Sequence, residues 1–329
     1  MKELRIPREY DQMRIDKVCA KILPAAPKSF FYKMFRKKNI VLNGKKIQGI
    51  ELVKTSDLLR FFLSDETFEK MQGRKETNIL GESLSPSAIL YEDQHLLVYN
   101  KPVGVLSQPG GEGPDLVSMY EVYLEESNFP KDEFTRYGVC NRLDRNTTGV
   151  SLIGRNAKSL QWLNQGIAKG FIDKRYHVLV VGAFEEKIEL MGYLYKDKLT
   201  NKVQIHEEMN SDQEKFFVEK ESVEIRTEIT PLKVSRDRRL SLLEIQLHTG
   251  KTHQIRAHLQ SIGYPVLGDP KYGDEKINGF YRKSYDIRYQ QLHSYSYTLY
   301  LDPQFPELSG KKFIAPYPNT MERLIKEFF

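Results

Sequence analysis

The sequence predicts an α+β protein in which a small α/β module precedes a larger domain built on a mixed, largely antiparallel sheet. Three observations favour this class. The 329 residues suffice for about two domains, each with its own core. Beyond residue 89, strand-like segments outnumber helical ones. Several of these segments are joined by hairpin-like turns, which is typical of antiparallel rather than doubly wound sheets.

The composition argues against a membrane or secreted protein. No apolar run approaches the roughly 18 residues that a membrane span requires. The first residues, MKELRIPREY, mix charges throughout and lack the apolar stretch of a signal peptide. Two cysteines, Cys19 and Cys140, are too few for a disulfide framework or a cysteine metal site. We therefore expect a cytoplasmic protein with no membrane partner, and a monomer by default.

Positive charge is concentrated near the N-terminus. Residues 1–63 contain fifteen lysines and arginines against six acidic residues, a net charge of +9, whereas the whole chain carries +6. The rest of the chain is therefore close to −3. This distribution predicts a module that binds a polyanion, attached to a nearly neutral body.

Two adjacent elements carry this charge. Phe30, Phe31, Met34 and Phe35 recur at helical spacing, so one face of a helix can pack while its basic face stays in water. The following NIVLNGKKI is a hairpin signal with a central Asn-Gly turn. Such a helix and hairpin could contact successive phosphates, and the alternative is a merely solvated basic face. The predicted contacts are Lys33, Arg36, Lys37, Lys38, Lys45 and Lys46.

The order of these segments supports the phosphate-binding hypothesis. RIDKVCAKI, KSFFYKMFRKKNIVLNGKKI and LVKTSDLLRF resemble the αL-type module shared by a small-subunit ribosomal protein and many RNA-modifying enzymes. This resemblance implies that residues 1–63 bind structured RNA through the helix and the hairpin. Residues 64–88 are polar, turn-rich and poor in periodicity, which predicts a linker to the larger domain, residues 89–329.

The larger domain mixes strands and helices in an order that can be followed along the chain. Strands are predicted at HLLVYNKPVGVL, GVSLIG, KRYHVLVVG and LSLLEIQLHTG. AKSLQWLNQGIAKG has the periodicity of an amphipathic helix with a glycine stop. THQIRAHLQSIG is predicted to be a second helix, which ends at Gly263.

Common phosphate-binding, dinucleotide and hydrolase motifs are missing from the sequence. It has no G-x-x-x-x-G-K-[ST], G-x-G-x-x-G or G-x-S-x-G pattern. His253 and His258 are five residues apart in a predicted helix, a spacing that does not place them on one face. The sequence therefore predicts neither a metal site nor a cofactor.

Three polar clusters lie within apolar surroundings: NRLDRNTTGV at 141–150, KRYH at 174–177 and HTGKTHQIRAHLQSIGYPVLGDPKYG at 248–273. In the third cluster, Arg256 precedes apolar residues that must bury part of the helix. A buried arginine needs a carboxylate, because breaking such a pair costs about 3–5 kcal/mol. Asp144 is the predicted partner, since apolar and turn residues frame it more tightly than any other acid.

These clusters resemble the motifs of one enzyme family. NRLDRNTTGV is similar to the H-R-L-D-x-x-T-S-G motif of the RluA-type pseudouridine synthases, and KRYHVLV to their K-x-Y motif. TGKTHQIRAHLQSIGYPVLGDPKYG resembles their T-G-R-T-H-Q-I-R-x-H-L motif, and NKPVGVL their leading N-K-P-x-G-x. The four motifs occur in the family's order. The resemblance implies a pseudouridine synthase domain, and thus an isomerase that converts uridines of structured RNA to pseudouridine.

The resemblance also implies roles for individual residues. Asp144 takes the position of the catalytic aspartate, Arg256 that of the arginine paired with it, and Tyr176 that of the tyrosine against the target base. Arg142 takes the position of the arginine that fills the stack left by the flipped uridine. Asp144 would act on the ribose as a nucleophile or as a base, and the Tyr176 hydroxyl is a candidate to help remove the proton on uracil C5. No cofactor is implied.

Two positions depart from the family motifs. Asn141 stands where the family has His, and Lys251 stands where it has Arg. Asn141 can still donate and accept hydrogen bonds, whereas Lys251 keeps the charge but loses the bidentate geometry of a guanidinium. Neither residue is among those implied to carry the chemistry.

Other functions and substrates stay open at this point. A catalytically silent RNA-binding assembly factor on the same scaffold is the alternative function. An N-glycosidase that releases uracil is disfavoured, because the clusters offer no second acid. Ribosomal RNA, particularly of the large subunit, is the favoured substrate since αL-type modules accompany many such synthases, and transfer RNA is possible.

Overall fold

Two units make up the chain, one of residues 1–81 with 127–136 and one of residues 82–126 with 137–329. The computed structural model describes residues 1–72, 81–127, 137–196, 203–206, 222–300 and 305–329. Within these ranges, no helix is both long and apolar enough to cross a membrane.

In its described residues, the N-terminal unit combines three helices with a four-stranded antiparallel sheet of order β1-β4-β2-β3. Its strands are β1 (Lys2–Arg5), β2 (Ile40–Leu42), β3 (Lys45–Lys46) and β4 (Leu58–Phe61). Its helices are α1 (Ile15–Ile22), α2 (Lys28–Arg36) and α3 (Asp65–Gln72). Buried side chains from all three helices and from β1, β2 and β4 form one shared core.

The helix and hairpin predicted in the basic region are both present. In α2, Phe31, Met34 and Phe35 are buried, and Lys33 is exposed on the opposite side. The Asn-Gly pair joins β2 to β3, and its residues have φ angles of 51° and 74°. Two successive positive φ angles are those of a type I′ turn, the two-residue turn that matches the twist of antiparallel strands.

A helix occupies part of the stretch for which the sequence predicts a linker. Residues 64–88 include α3, and its Phe68 is buried with its ring 5.4 Å from that of Phe61. α3 therefore packs on the core of the N-terminal unit, and the bounds given above for the module, the linker and the larger domain stay a prediction. Residues 73–80 of the predicted linker lie outside the described residues.

The described residues of the larger unit form one eleven-stranded sheet. Its strands are β5 (Ile89–Glu92), β6 (Leu96–Lys101), β7 (Gly138–Val139), β8 (Thr148–Gly154), β9 (Ile172–Val181), β10 (Ile188–Lys196), β11 (Val203–His206), β12 (Val223–Val234), β13 (Leu240–Leu247), β14 (Leu292–Leu299) and β15 (Lys312–Ile314). Its helices are α4 (Leu116–Glu126), α5 (Ala157–Ala168), α6 (Gln254–Ser261), α7 (Glu275–Tyr285) and α8 (Asn319–Phe328).

The strand order in this sheet is β11-β10-β12-β13-β9-β14-β8-β6-β5, with β15 beside β14 and β7 beside β8. Among the described pairs, β8 and β14 are parallel and the others are antiparallel. The predicted α+β class with a mixed, largely antiparallel sheet is confirmed. The four predicted strands correspond to β6, β8, β9 and β13, and the two predicted helices to α5 and α6.

Candidate active site

Asp144 lies in a tight turn immediately before β8. The N–H of Thr147 donates to the carbonyl oxygen of Asp144 at 3.0 Å and closes the turn. Two residues later, Gly149 has a φ of 107°, and a Cβ there would lie 2.2 Å from the carbonyl oxygen of Ser294. Only glycine lets β8 lie this close to β14. The glycine of the Thr-Thr-Gly sequence therefore fixes the point at which the turn of Asp144 joins the sheet.

The segment that begins at the end of β6 holds both neighbours of Asp144. Lys101 Nζ donates to the carbonyl oxygen of Arg145 at 2.9 Å. Ser107 Oγ donates to the carbonyl oxygen of Leu143 at 3.0 Å and accepts from the Leu143 N–H at 2.9 Å. The NKPVGVLS segment therefore clamps the backbone on each side of Asp144, a role that the sequence motif alone did not reveal.

Lys101 makes this contact from a fully buried position. Its ammonium donates two further hydrogen bonds, to the carbonyl oxygens of Pro102 at 3.0 Å and Val105 at 2.8 Å. Burial lowers the pKa of Lys101 to about 7, and the negative charge of Asp144 opposes this shift. The three carbonyl acceptors explain how a lysine can be accommodated in the core.

Arg256, on α6, lies between two aspartates. Its Nη1 donates to Asp144 Oδ2 at 2.8 Å, which confirms the predicted contact. Its Nε and Nη2 donate to the two carboxylate oxygens of Asp269 at 2.6 and 2.9 Å. Asp269 is completely buried, whereas the Asp144 side chain is 25% exposed. Asp144 is therefore only one of two partners, and the bidentate pair is with Asp269.

The two buried charges of this pair stabilise each other. Burial opposes the charge on Arg256, yet the hydrogen bonds and negative charge of Asp269, with a smaller contribution from Asp144, raise its pKa. Burial also raises the pKa of Asp269, but Arg256 and the N–H groups of Lys271 and Tyr272 hold it below its ordinary value. Asp269 thus orients the guanidinium so that one N–H points to Asp144.

Tyr176, on β9, belongs to a buried chain of hydroxyl and amide groups. Its hydroxyl lies 2.7 Å from that of Tyr297 on β14, which accepts from Asn141 Nδ2 at 3.1 Å. Asn141 Nδ2 also donates to the carbonyl oxygen of Val150, and Asn141 Oδ1 accepts from the Leu152 N–H at 2.7 Å. Asn141, which departs from the family motif, therefore connects β8 to Tyr297 on β14, the hydroxyl partner of Tyr176.

The electrostatic surroundings of Tyr176 bear on its role. Burial, followed by the effect of the neighbouring Tyr297, raises the pKa of Tyr176 well above its ordinary value. A phenol in this state stays neutral and is a poor proton acceptor. This argues against the suggestion that the Tyr176 hydroxyl removes the proton on uracil C5.

One cleft in the larger unit brings the four predicted site residues together. Asp144, Tyr176, Arg256 and Arg142 all line it, together with apolar groups such as Leu247. Arg142 is exposed and has no hydrogen bond or ion pair with any residue that the structure describes. Its guanidinium is thus available to a ligand in this cleft.

The residues that begin α6 complete the wall of the cleft. Gln254 Oε1 accepts from Thr249 Oγ1 at 3.0 Å and from the Lys251 N–H at 3.1 Å, and Gln254 Nε2 donates to Thr227 Oγ1 at 2.9 Å. These bonds hold the loop that carries Lys251, whose side chain is exposed at the cleft. Gln254 accordingly has a structural role.

His253 precedes α6 in a left-handed conformation, with a φ of 58°. Its Nε2 lies 3.9 Å from Asp144 Oδ2, and its Nδ1 lies 3.0 Å from the hydroxyl of Tyr272. Burial lowers the pKa of His253, although Asp144 opposes the shift. The ring is thus held beside the aspartate mainly in its neutral form.

The six basic residues predicted to bind RNA belong to the N-terminal unit. All six are exposed, and none has a side-chain hydrogen bond or ion pair with another described residue. They occupy the end of α2, the turn that follows it, and β3; they are Lys33, Arg36, Lys37, Lys38, Lys45 and Lys46.

A group of possible metal ligands lies away from the cleft. Carboxylate oxygens of Glu189 and Glu228 and a ring nitrogen of His248 lie within 4.8 Å of one another. Both carboxylates already have cationic partners, since Glu189 pairs with Arg226 and Glu228 with Lys187. None of the three ligand residues lines the cleft that contains Asp144.

Comparison with known proteins decides the family. The sequence model of the RNA pseudouridylate synthase family matches residues 95–261, a stretch that contains Asp144, Tyr176 and Arg256. The chain belongs to the RNA pseudouridylate synthase family. The resemblance of its four motifs to the RluA-type synthases is confirmed, and so is the prediction of an RNA isomerase. The likeness of residues 1–63 to an αL-type module stays a prediction.

Similar proteins cover between about three quarters and nearly all of this chain. An uncharacterised RNA pseudouridine synthase of Mycoplasma genitalium is 28% identical over 94% of this chain and 90% of its own. Ribosomal large subunit pseudouridine synthase C of Buchnera aphidicola is 29% identical over 97% of this chain and 96% of its own. Ribosomal large subunit pseudouridine synthase D of Borreliella burgdorferi is 31% identical over 77% and 72%.

The solved structure of human RNA pseudouridylate synthase domain containing 4 has the same fold. It superposes with a TM-score of 0.55 at 20% identity, covering 73% of this chain and 92% of the human one. The sheet described above is thus that of a pseudouridine synthase.

The buried hydroxyl chain behind Tyr176 gives a first testable prediction. Tyr297→Phe removes the hydroxyl that contacts both Tyr176 and Asn141. We expect the free energy of unfolding to fall by about 1–3 kcal/mol, because two buried polar groups lose a partner. Urea-induced unfolding measures this effect.

Tyr295→Phe is the matched control on the same strand. The hydroxyl of Tyr295 has no hydrogen bond with a described residue, so its loss should change stability by no more than about 0.5 kcal/mol. Equal effects of the two substitutions would contradict the hydroxyl chain.

Proposed function

We propose that this synthase converts specific uridines of ribosomal RNA to pseudouridine in the cleft around Asp144. The observation that carries the proposal is the Asp144 carboxylate, which the Arg256 guanidinium holds at 2.8 Å in a cleft that Tyr176 also lines. Ribosomal RNA is proposed because relatives of similar length are named as synthases of the large ribosomal subunit.

The target uridine must first leave its stack. Extruding a base from folded RNA costs about a few kcal/mol, and a planar cation can occupy the gap that it leaves. Arg142 is the proposed group, because its exposed guanidinium has no partner among the described residues and lines the cleft. The extruded uracil then stacks on the ring of Tyr176.

The reaction exchanges one glycosidic bond for another. The bond between ribose C1′ and uracil N1 breaks, the base rotates, and C1′ bonds to uracil C5. The proton on C5 leaves and N1 gains one, so the RNA keeps its composition. Asp144 acts on the ribose as a nucleophile at C1′ or as a base, and in both cases Arg256 supplies the positive charge that holds the carboxylate in position.

The N-terminal unit is proposed to bind the RNA backbone. Six exposed basic side chains on α2, the following turn and β3 offer phosphate contacts, each of which releases counterions on binding. Three further points stay predictions: transfer RNA as an alternative substrate, a monomeric synthase and a cytoplasmic location.

A catalytically silent assembly factor is the alternative function. To distinguish the two, ribosomal RNA from cells that lack this protein is treated with carbodiimide and mapped by primer extension. Loss of one or more pseudouridine stops supports the synthase. Unchanged stops together with a ribosome assembly defect would support the assembly factor and overturn the proposal.

Neutralising the basic face should weaken RNA binding without affecting the Asp144 cleft. We expect replacement of Lys33, Arg36, Lys37 and Lys38 with Gln to lower affinity whatever the sequence around the uridine. Each lost phosphate contact should reduce the salt dependence of log affinity by roughly 0.7–0.9. The rate at saturating RNA should fall far less than the affinity, because Asp144 and Arg256 are unchanged.

A control for net charge is available in the larger unit. It replaces four exposed lysines with Gln: Lys187, Lys276, Lys283 and Lys326. Binding measured across a salt series should keep most of its slope in this control. The same slope in wild type and in the variant of the N-terminal unit would mean that its basic face does not contact RNA.

A further inference from the structure

Lys174 on β9 is a buried lysine with no partner in the described structure. Its residue is only 6% exposed, yet its side chain has no hydrogen bond or ion pair with any described group. Lys101, the other lysine that is buried within the described ranges, donates three hydrogen bonds. Lys174 therefore lacks the hydrogen bonds by which Lys101 stabilises the fold.

Lys174 shares one face of the sheet with Tyr176, which lines the cleft. Lys174 and Tyr176 are two residues apart on one strand, so their side chains project from the same face of the sheet. In the neighbouring strand, Lys174 is opposite Tyr297, whose hydroxyl meets that of Tyr176. The ammonium group thus lies on the face that carries the buried hydroxyl chain.

The ammonium group of Lys174 lies next to the loop that precedes α6. A Cβ on Gly250 would lie 3.7 Å from Lys174 Nζ, so the group sits against the backbone of this glycine. The next residue, Lys251, lines the cleft. Lys174 Nζ therefore lies next to the loop that carries Lys251 to the cleft and that Gln254 holds in place.

The acidic groups near Lys174 in the described part of the chain form hydrogen bonds or ion pairs with other residues. Asp173 faces the other side of the strand, where it accepts hydrogen bonds from Arg175 Nε and Gln246 Nε2, both at 2.8 Å. Glu244 also pairs with Arg175. Burial lowers the pKa of Lys174, and the charge of Asp173 opposes that shift only in part. A partly desolvated ammonium that has no anion among the described residues destabilises the free protein.

We propose that Lys174 binds a backbone phosphate of the RNA at the target uridine. This inference rests on the proposed function, because the anion is supplied by the substrate. The phosphate is the charged part of a nucleotide, and a lysine ammonium binds it as a point charge. The contact would hold the backbone at one edge of the cleft while Arg142 occupies the vacated stack.

Lys174→Met in the full-length protein tests this inference. We expect the melting temperature to stay the same or rise, since an uncompensated buried charge is removed. We expect the half-saturating RNA concentration in single-turnover assays to rise about tenfold, with a smaller fall in the maximal rate. The salt dependence of log affinity should decrease by roughly 0.7–0.9, the contribution of one phosphate. Lys174→Gln should give the same results, and it replaces the Met variant if that variant does not fold.

The control is Lys326→Met, which removes an exposed lysine already paired with Glu322. The RNA is a transcript spanning the uridine mapped in cells, or unmodified large-subunit ribosomal RNA if none is mapped. Unchanged affinity and salt slope, or a large loss of stability in both the Met and the Gln variant, would overturn the inference, and conversion of uridine by the wild type would leave the proposed function intact. If the wild type converts no uridine, the proposed function fails, and the binding comparison still decides the role of Lys174.

Discussion

Asp144→Asn is expected to lower the rate of pseudouridine formation by more than about a hundredfold, because the amide can act neither as a nucleophile nor as a base. The substitution is nearly isosteric, and the remaining carbonyl oxygen can still accept the hydrogen bond from Arg256 Nη1. Folding and much of the RNA affinity should therefore persist. Single-turnover release of tritium from RNA labelled at uracil C5 measures the rate.

The control for this substitution is Asp274→Asn at the start of α7. Asp274 is exposed and accepts from the Ile277 N–H as a helix cap, a role that Asn fills equally well. Its activity should match the wild type. If Asp144→Asn retains even about a tenth of the wild-type rate, Asp144 is not the group that carries the chemistry.

Arg256→Ala should have the largest effect on stability. The change leaves Asp269, which is fully buried, without the guanidinium that donates to both of its oxygens. Breaking a buried pair in this way costs about 3–5 kcal/mol. Activity should fall as well, because Asp144 loses the same guanidinium. Denaturant unfolding and the tritium assay measure the two losses.

The stability loss should depend on pH with a definite sign. In the wild type the pKa of Asp269 is lowered, so its contribution to stability is present above the ordinary aspartate pKa and is lost as pH falls through the lowered value. Without Arg256, burial dominates and favours the protonated acid. The gap in stability between wild type and Arg256→Ala should therefore narrow as the pH falls towards the ordinary aspartate pKa.

A double variant separates the structural from the functional effect. Arg256→Met with Asp269→Leu replaces the buried pair by apolar groups, which should recover most of the lost stability. It should not recover activity, because Asp144 still lacks its cationic partner. An Arg256→Ala protein with wild-type stability and full activity would show that these residues do not interact as described.

The sequence predicted those features of the fold and of the cleft that depend on residues close to one another in the chain. The Asn-Gly turn, the apolar face of α2 and the glycine after α6 each depend on residues within one element. Asp144, Tyr176 and Arg256 were indicated by their motifs, and they do line one cleft. They could be identified because a polar residue that interrupts an apolar segment is visible from its immediate neighbours in the sequence.

Partners that are distant in sequence were harder to predict. Asp269 lies thirteen residues from Arg256 and Tyr297 lies 121 residues from Tyr176. Nothing in the local pattern of GDPKYG or LHSYSYTL indicates which buried group each one meets. Lys101 shows the same difficulty, since its partners are backbone carbonyls, one of them on the turn of Asp144.

The stretch around α3 shows how composition alone can mislead. The helix sequence DETFEKMQ is mostly polar, which favoured a linker, but Phe68 is buried against Phe61. One aromatic side chain anchored in an existing core can hold a short polar helix in place, because most helical stability in proteins comes from tertiary packing.

The central claim is that this synthase isomerises uridine through the carboxylate of Asp144. The direct test incubates purified full-length wild type and Asp144→Asn with unmodified large-subunit ribosomal RNA, then maps pseudouridine by carbodiimide treatment and primer extension. The predicted result is conversion at discrete positions by the wild type, none by Asp144→Asn, and no release of free uracil. Equal conversion by both proteins, or release of uracil by the wild type, would contradict the claim.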